Sequence, residues 1–272
     1  MRGVVIGILA LGFASAQPVA FDAASVRVND NGGPRYGSIQ YSGNRLTIRA
    51  TSLWMCIRWA WNLGSFPISG PDWLQTPPLY DIAATGRAVA TPETMRMMLR
   101  TLLSERFAIR THTEKREMHV MALVVAKGGP RMRPSSGRFD AALGREAPMQ
   151  FLGLDTSTHL QRTAGDRPGR LRDSYTNISM RELAAVMAIA STRTPFEQVP
   201  VIDGAGLSGR YNFTLTLDLP AGNEHEHTAS DDDPLANWRT VLQRDAGLTL
   251  EARKARVDVL VIDHINRAAT PN

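Results

Sequence analysis

The stretch RLTIRATSLWMCIRWAW at residues 45–61 joins a strand pattern directly to a helix pattern. Residues 45–50 alternate polar and apolar side chains, as a half-buried strand does. Thr51 or Ser52 then stands where a helix cap is expected, before apolar side chains that recur at helical spacing. Those apolar positions are Leu53, Cys56, Ile57, Ala60 and Trp61. The stretch therefore predicts a strand that leads straight into a short, buried helix.

The same order recurs in the second half of the chain, which indicates an internal duplication. Residues 175–178 have the pattern of a strand. Ser179 and Glu182 form an S-x-x-E capping box at the start of another apolar helix. A turn and a further strand follow in each half, at residues 80–84 and at residues 211–215.

The second helix of each half also begins alike. Thr91-Pro92 and Asp233-Pro234 each supply a capping side chain followed by proline, whose fixed φ suits the first helical position. Each half is then predicted to end on a pair of strands separated by a basic turn. These pairs are residues 109–112 with 118–125, and residues 248–250 with 257–262.

Together these patterns predict an α+β fold made of two duplicated modules. Each module is expected to be a small, mostly antiparallel sheet covered by two helices, in the order β-α-β-β-α-β-β. The predicted boundaries are a signal peptide at 1–16, a first module at 17–127, an irregular linker or insert at 128–172 and a second module at 173–267.

The N-terminus predicts export. Arg2 precedes a short apolar run over residues 4–13, and Ala14-Ser15-Ala16 matches the small-x-small pattern of a cleavage site near Ala16. The run is about half as long as a membrane-spanning helix needs. We therefore expect a periplasmic or secreted protein with no transmembrane segment after cleavage.

Composition is that of an ordinary globular protein, with 43% hydrophobic residues and a formal net charge of +5. Basic and acidic residues are interleaved, so the charge does not predict nucleic-acid binding. We expect no cofactor, and we expect the partner to be a protein, a peptide or an envelope glycan. Cys56 is the single cysteine, so we expect packing without an internal disulfide and a buried Cys56 thiol.

Two groups of residues carry side chains typical of catalytic or metal sites. His112, Glu114 and Glu117 lie close together in the chain, and Asp263-His264 ends the last predicted strand. These residues are candidates for an acid–base pair or a zinc site, and the alternative is a solvent-facing ladder of charges. His225 and His227 alternate with carboxylates and are weak candidate metal ligands, with a solvated acidic loop as the alternative.

Tryptophans cluster around the first predicted helix. Trp54 and Trp59 flank Arg58, and Trp73 follows nearby. Exposed aromatic rings beside a cation are suited to gripping a peptide, a glycan ring or a partner protein. The alternative is that these rings pack inside the fold.

A set of motifs along the chain resembles a known family. They lie at residues 21–29, 68–74, 80–82, 91–99, 103–107, 112–117, 122–130, 206–213 and 259–264. The chain is similar to a large family of secreted proteins of unknown function from soil bacteria, often present in many copies per genome. The family has no established activity, so the resemblance implies no catalytic residue. Related domains occur behind membrane metalloprotease sensors of the beta-lactam-response type, which implies an extracytoplasmic sensing or binding module.

The leading hypothesis is therefore an exported, non-enzymatic binding or sensing protein. Its ligand would lie at the interface of the two modules or against the tryptophan-bearing helix. The second hypothesis is a secreted hydrolase, with or without a metal ion, that uses the His112 region or Asp263-His264.

Overall fold

A computed structural model of the chain describes residues 19–31, 37–76, 78–137, 158–190, 199–218 and 236–270. The predicted signal peptide, Asp233-Pro234, His225 and His227 lie outside these residues. The first half contains β1 (Ala23–Asn29), β2 (Ser38–Ser42), β3 (Arg45–Thr51), α1 (Leu53–Ala60), β4 (Ile68–Ser69), β5 (Leu79–Thr85), α2 (Pro92–Phe107) and β6 (Arg110–Val125). The second contains β7 (Arg133–Pro134), β8 (His159–Ala164), β9 (Arg170–Ile178), α3 (Met180–Ala190), β10 (Val201–Asp203), β11 (Tyr211–Asp218), α4 (Ala236–Val241) and β12 (Leu248–His264).

The described strands form three sheets of four strands each. The first sheet has the order β1-β5-β3-β2, and another has the order β7-β11-β9-β8. Neighbouring strands in both of these sheets are antiparallel. The central sheet has the order β10-β6-β12-β4. The fold class is therefore α+β, as the sequence predicted.

The long strands β6 and β12 form an antiparallel ribbon. It runs from Leu248 opposite Val125 to His264 opposite Arg110. The prediction that each half ends on a strand pair was wrong, because each predicted pair is one continuous strand. Neither strand contains a glycine, proline or asparagine, and no such residue stands at the basic positions where turns were predicted. The basic residues that suggested turns lie instead on the exposed middle of the ribbon.

The two short strands of the central sheet cross between the halves of the chain. β4 pairs in parallel with β12, with Ile68 opposite Leu260, and β10 pairs in parallel with β6, with Val201 opposite Met121. A proline carbonyl prolongs each pairing. The Leu260 amide donates to the Pro67 oxygen at 3.1 Å, and the Met121 amide donates to the Pro200 oxygen at 2.9 Å.

Two large hydrophobic cores lie at opposite ends of the ribbon. The first packs α1 and α2 on the first sheet and includes Leu260 and Ile262 of β12. The second packs α3 and α4 on the β11-containing sheet and includes Met121 and Leu123 of β6. Each core is thus completed by a strand from the other half of the chain.

The caps of α1, α2 and α3 follow the sequence prediction. The Met55 amide donates to Ser52 Oγ, and the Thr94 amide donates to Thr91 Oγ1 ahead of α2. The capping box of α3 is closed on both sides. The Ser179 amide donates to Glu182 Oε2 at 2.9 Å, and the Glu182 amide donates to Ser179 Oγ at 3.3 Å.

The described residues of the predicted linker or insert at 128–172 contain β7, β8 and the first residues of β9, although Gly, Pro, Ser and Arg are frequent in that segment. β7 and β8 are the two edge strands of their sheet. Edge strands are short and tolerate proline, because one side of their backbone forms no ladder.

Candidate functional site

The face of the ribbon that carries both cores has an exposed polar strip in its middle. Leu260 belongs to the first core and Met121 to the second, and side chains at two-residue steps along a strand share one face. Three cross-strand pairs therefore lie on this face between the cores. They are Lys115 with Asp258, Glu117 with Arg256, and His119 with Lys254. We call these six residues the ribbon strip.

Most side chains of the ribbon strip have no partner in the part of the chain that the structure describes. Lys115 Nζ lies 3.2 Å from Asp258 Oδ1, so this pair is satisfied. Glu117, His119, Lys254 and Arg256 are exposed, and their side chains make no hydrogen bond or ion pair with the described residues. The strip therefore presents two free cations, one free carboxylate and one imidazole to solvent.

The opposite face of the ribbon carries a second polar group, centred on His112. Its Nδ1 lies 2.9 Å from Asp263 Oδ1 and 3.1 Å from Oδ2, and its Nε2 lies 3.8 Å from Glu114 Oε2. Glu114 is also paired with Arg116, whose Nη1 donates to Ser69 Oγ at 3.2 Å. The hydrogen bond with Asp263 raises the pKa of His112 above its ordinary value.

The His112 group joins three of the predicted site residues and leaves two apart. Asp263 and Glu114 face different nitrogens of the His112 ring, so the three side chains do not converge on one point. Glu117 lies on the other face of the ribbon, and His264 stands opposite Arg110 at its end. In the part of the chain that the structure describes, no group of three or more His, Cys, Asp or Glu side chains is arranged to hold a metal ion.

The tryptophans around α1 are packed inside the fold rather than displayed. Trp54, Arg58 and Trp59 are 7%, 3% and 0% exposed. Arg58 Nη1 donates to the Phe66 carbonyl at 3.1 Å, and Nη2 donates to the Gly64 carbonyl. Burial lowers the pKa of Arg58 to about 10. Of the two interpretations of this cluster, packing therefore fits these three residues.

Trp73 is the most accessible of the predicted binding residues. It is half-buried against the first core, and the Arg267 guanidinium lies 6.0 Å from its ring centre. That distance is at the outer limit of a cation–π contact. Cys56 is buried within α1, as predicted, and burial raises the pKa of its thiol to about 12.

Sequence reasoning missed the ribbon strip, although it noticed most of its residues. The basic cluster around Lys254 was interpreted as a turn, so its partner strand was not considered. The absence of any glycine, proline or asparagine between Leu248 and His264 was the signal for a continuous strand. Only the register of β6 with β12 brings Lys254 beside His119.

None of the helices that the structure describes is long and apolar enough to cross a membrane.

The comparisons with known proteins identify a family without an assigned activity. No curated protein and no solved structure matches the chain. A family model described as "Protein of unknown function (DUF3738)" matches residues 54–265, which is most of the chain. The chain belongs to this family of proteins of unknown function.

Proposed function

We propose that this chain is an exported, non-enzymatic binding or sensing protein whose partner docks on the ribbon strip. The observation that carries the proposal is a set of four ionisable side chains between the two cores that have no partner among the described residues: Glu117, His119, Lys254 and Arg256. Such groups add little to the stability of the chain itself. Their charges and hydrogen-bonding capacity remain available to a partner.

The position of the strip supports this proposal. The two cores lie on the same face of the ribbon and form one lobe at each end of the strip. Binding sites occur preferentially where two packed units meet. Glu117 is directly opposite Arg256 at the middle of the strip. A partner seated there touches oppositely charged groups from both long strands.

We infer further that the two lobes are copies of one unit. The strand orders β1-β5-β3-β2 and β7-β11-β9-β8 correspond element by element along the chain. The carbonyls of Pro67 and Pro200 accept equivalent bonds from the long strands. α2 is followed by the left-handed Ala108, and the π-helical segment Leu242–Ala246 after α4 is followed by the left-handed Gly247. A duplicated unit places the strip on the approximate twofold axis, where both copies contribute to one site.

Export is part of the same proposal. It rests on the N-terminal pattern of Arg2, the apolar run over residues 4–13 and Ala14-Ser15-Ala16. Mass spectrometry of the intact protein from the producing cell tests it, and we expect a mature chain that begins near Gln17. A mature chain that retains the apolar run contradicts export by cleavage.

Site-specific photo-crosslinking tests binding at the strip. A photo-reactive residue placed at His119 or Lys254 of the full chain should yield one discrete adduct in the producing cell. Matched controls carry the same residue at Val89 or Met97, which are exposed apolar positions away from the ribbon. Equal adducts at control and strip positions, or no adduct from the strip, contradict the proposal.

A secreted hydrolase is the second candidate, favoured by one contact. Asp263 lies within hydrogen-bond distance of His112 Nδ1 and raises the pKa of the imidazole. A carboxylate at one ring nitrogen holds a histidine in the orientation that a general base requires. If the His112 group is catalytic, His112→Ala should abolish turnover on a panel of peptides and glycans. Lys115→Ala, on the other face, should leave that turnover unchanged. No turnover by the intact chain, with or without added zinc, contradicts this candidate.

A further inference from the structure

We propose that the free edge of β12 between Ala252 and Asp258 accepts an extended acidic segment of a partner protein as an added strand. This inference rests on the proposed binding function and specifies how the partner is recognised. Main-chain hydrogen bonds supply affinity in such strand addition, and side chains at alternate positions supply specificity.

The backbone of β12 defines where that edge is free. The Leu260 amide points away from β6, because it donates to Pro67, and the Leu250 carbonyl points the same way, because it accepts from Arg239 Nε at 3.2 Å. Alternate residues of a strand direct their backbone groups to the same side. The residues between these two bonds with outward-facing backbone groups are Ala252, Lys254, Arg256 and Asp258.

The described residues leave this stretch uncovered. Among the described residues, β4 pairs with β12 at Leu260 and Val261, and Arg239 Nε donates to the Leu250 carbonyl at the other end of the stretch. Residues 251–254 and Arg256 are exposed. The free edge is about 20 Å long, enough for a strand of about six or seven residues.

The side chains on this edge specify an acidic partner. Lys254 and Arg256 stand two residues apart on the strip face and have no internal partner among the described residues. Arg253, immediately before Lys254 in the chain, faces the other way, and its Nη2 lies 2.7 Å from Glu251 Oε2. An added strand with carboxylates at alternate positions therefore meets both free cations, because its own side chains repeat with the same period of two.

The same charges disfavour two other occupants. A second copy of this edge would bring Lys254 and Arg256 against like charges, which is how natural edge strands avoid self-association. An anionic lipid surface meets the charges but leaves the outward-facing amides and carbonyls without strand partners. An extended acidic peptide satisfies both the side chains and the backbone.

Fluorescence anisotropy on the full chain tests the inference with a defined probe. The probe is a labelled nine-residue peptide that alternates threonine with glutamate. We expect saturable binding that is weakened about fivefold by either Lys254→Gln or Arg256→Gln. The matched control Arg253→Gln removes one positive charge from the opposite face of the same strand, and we expect it to change binding by less than about twofold.

Three comparison ligands separate strand addition from simple charge attraction. We expect little binding of a peptide with the same composition but grouped glutamates, of a version methylated on alternate backbone amides, and of vesicles of anionic lipid. Equal binding of the methylated peptide, or stronger binding of the vesicles, overturns strand addition.

The outcome also separates this inference from the proposed function. If the alternating peptide fails to bind while crosslinks at His119 and Lys254 persist, strand addition is wrong and binding at the strip stands. If the crosslinks are absent as well, both strand addition and the proposed function are wrong.

Discussion

The amide of Ala50 donates a 2.8 Å hydrogen bond to Oδ1 of Asp81 at the register shift between β3 and β5. The second half contains the same arrangement, with the Asn177 amide donating to Asn212 Oδ1 at 2.7 Å where β9 and β11 lose register. Ala50 and Asn177 both have positive φ, at 47° and 55°. In each half, a side-chain oxygen from the neighbouring strand satisfies an amide that the irregular pairing leaves without a ladder partner.

Asp81→Ala should therefore destabilise the fold, and Asp81→Asn should cost much less. Alanine leaves the buried Ala50 amide without an acceptor, a loss of about 1–3 kcal/mol in the free energy of unfolding. Asparagine keeps an acceptor oxygen, as Asn212 does in the second half. Urea denaturation at neutral pH measures both changes, and equal losses would contradict this role for the oxygen.

The same carboxylate predicts a dependence of stability on acid. The Ala50 amide and the Asn29 side chain lower the pKa of Asp81. Its contribution is therefore present above the unfolded-state pKa and is lost as the pH falls through the lower folded value. Asp81→Asn should reduce the fall in the free energy of unfolding as the pH is lowered through this range. An unchanged curve between neutral pH and pH ~2 would show that Asp81 does not contribute to it.

Two buried tyrosines should respond oppositely to loss of the hydroxyl. Tyr80 Oη donates to the Arg267 carbonyl at 2.9 Å, whereas Tyr175 Oη is buried with no hydrogen-bond partner among the described residues. Tyr80→Phe should cost about 1 kcal/mol, since it removes a satisfied bond. Tyr175→Phe should be neutral or stabilising, since it removes a polar atom without a partner. Thermal and urea unfolding of both variants decide this, and a larger loss for Tyr175→Phe would contradict it.

The left-handed residues after the last helix of each half offer a reciprocal test. Ala108 has a φ of 50° and Gly247 a φ of 68°. Ala108→Gly should stabilise the fold by about 0.5–1 kcal/mol, because glycine adopts this conformation without steric cost. Gly247→Ala should destabilise it by at least about 1–3 kcal/mol, since a Cβ there would also collide with the Gly129 carbonyl oxygen. Chemical denaturation checks both signs.

His112 should titrate above the ordinary range of histidine. Asp263 raises its pKa, so any stabilisation from this pair is present below the unfolded-state pKa and is lost as the pH rises through the raised value. In an NMR titration, Asp263→Asn should lower the pKa of His112. Asp258→Asn is the matched control, because Asp258 pairs with Lys115 on the other face. An equal shift in the control would assign the effect to general charge rather than to the contact.

Local features of the fold were predictable from the sequence because their causes are local. Ser52, Thr91 and Ser179 cap helices through bonds to residues three positions away. The strands that contain Tyr80 and Tyr211 follow turn-forming residues and alternate in polarity. Such signals depend only on a few neighbouring side chains.

The central sheet was not predictable in the same way. Whether Lys115 and Lys254 lie in turns or in strands depends on each strand finding the other across more than one hundred residues. The contact of His112 with Asp263 depends on the same register. The packing of Trp59 involves α2, which supplies the Arg96 guanidinium 5.6 Å from the Trp59 ring. Tertiary partners of this kind leave no local pattern.

The contribution of β12 to the first core has a consequence for how the protein is made. Leu260 and Ile262 belong to the core that is otherwise built from residues near the beginning of the chain. During synthesis, that core stays incomplete until the ribosome has released almost the whole polypeptide. We therefore expect the native state to form after translation, in a single late step, rather than one half at a time.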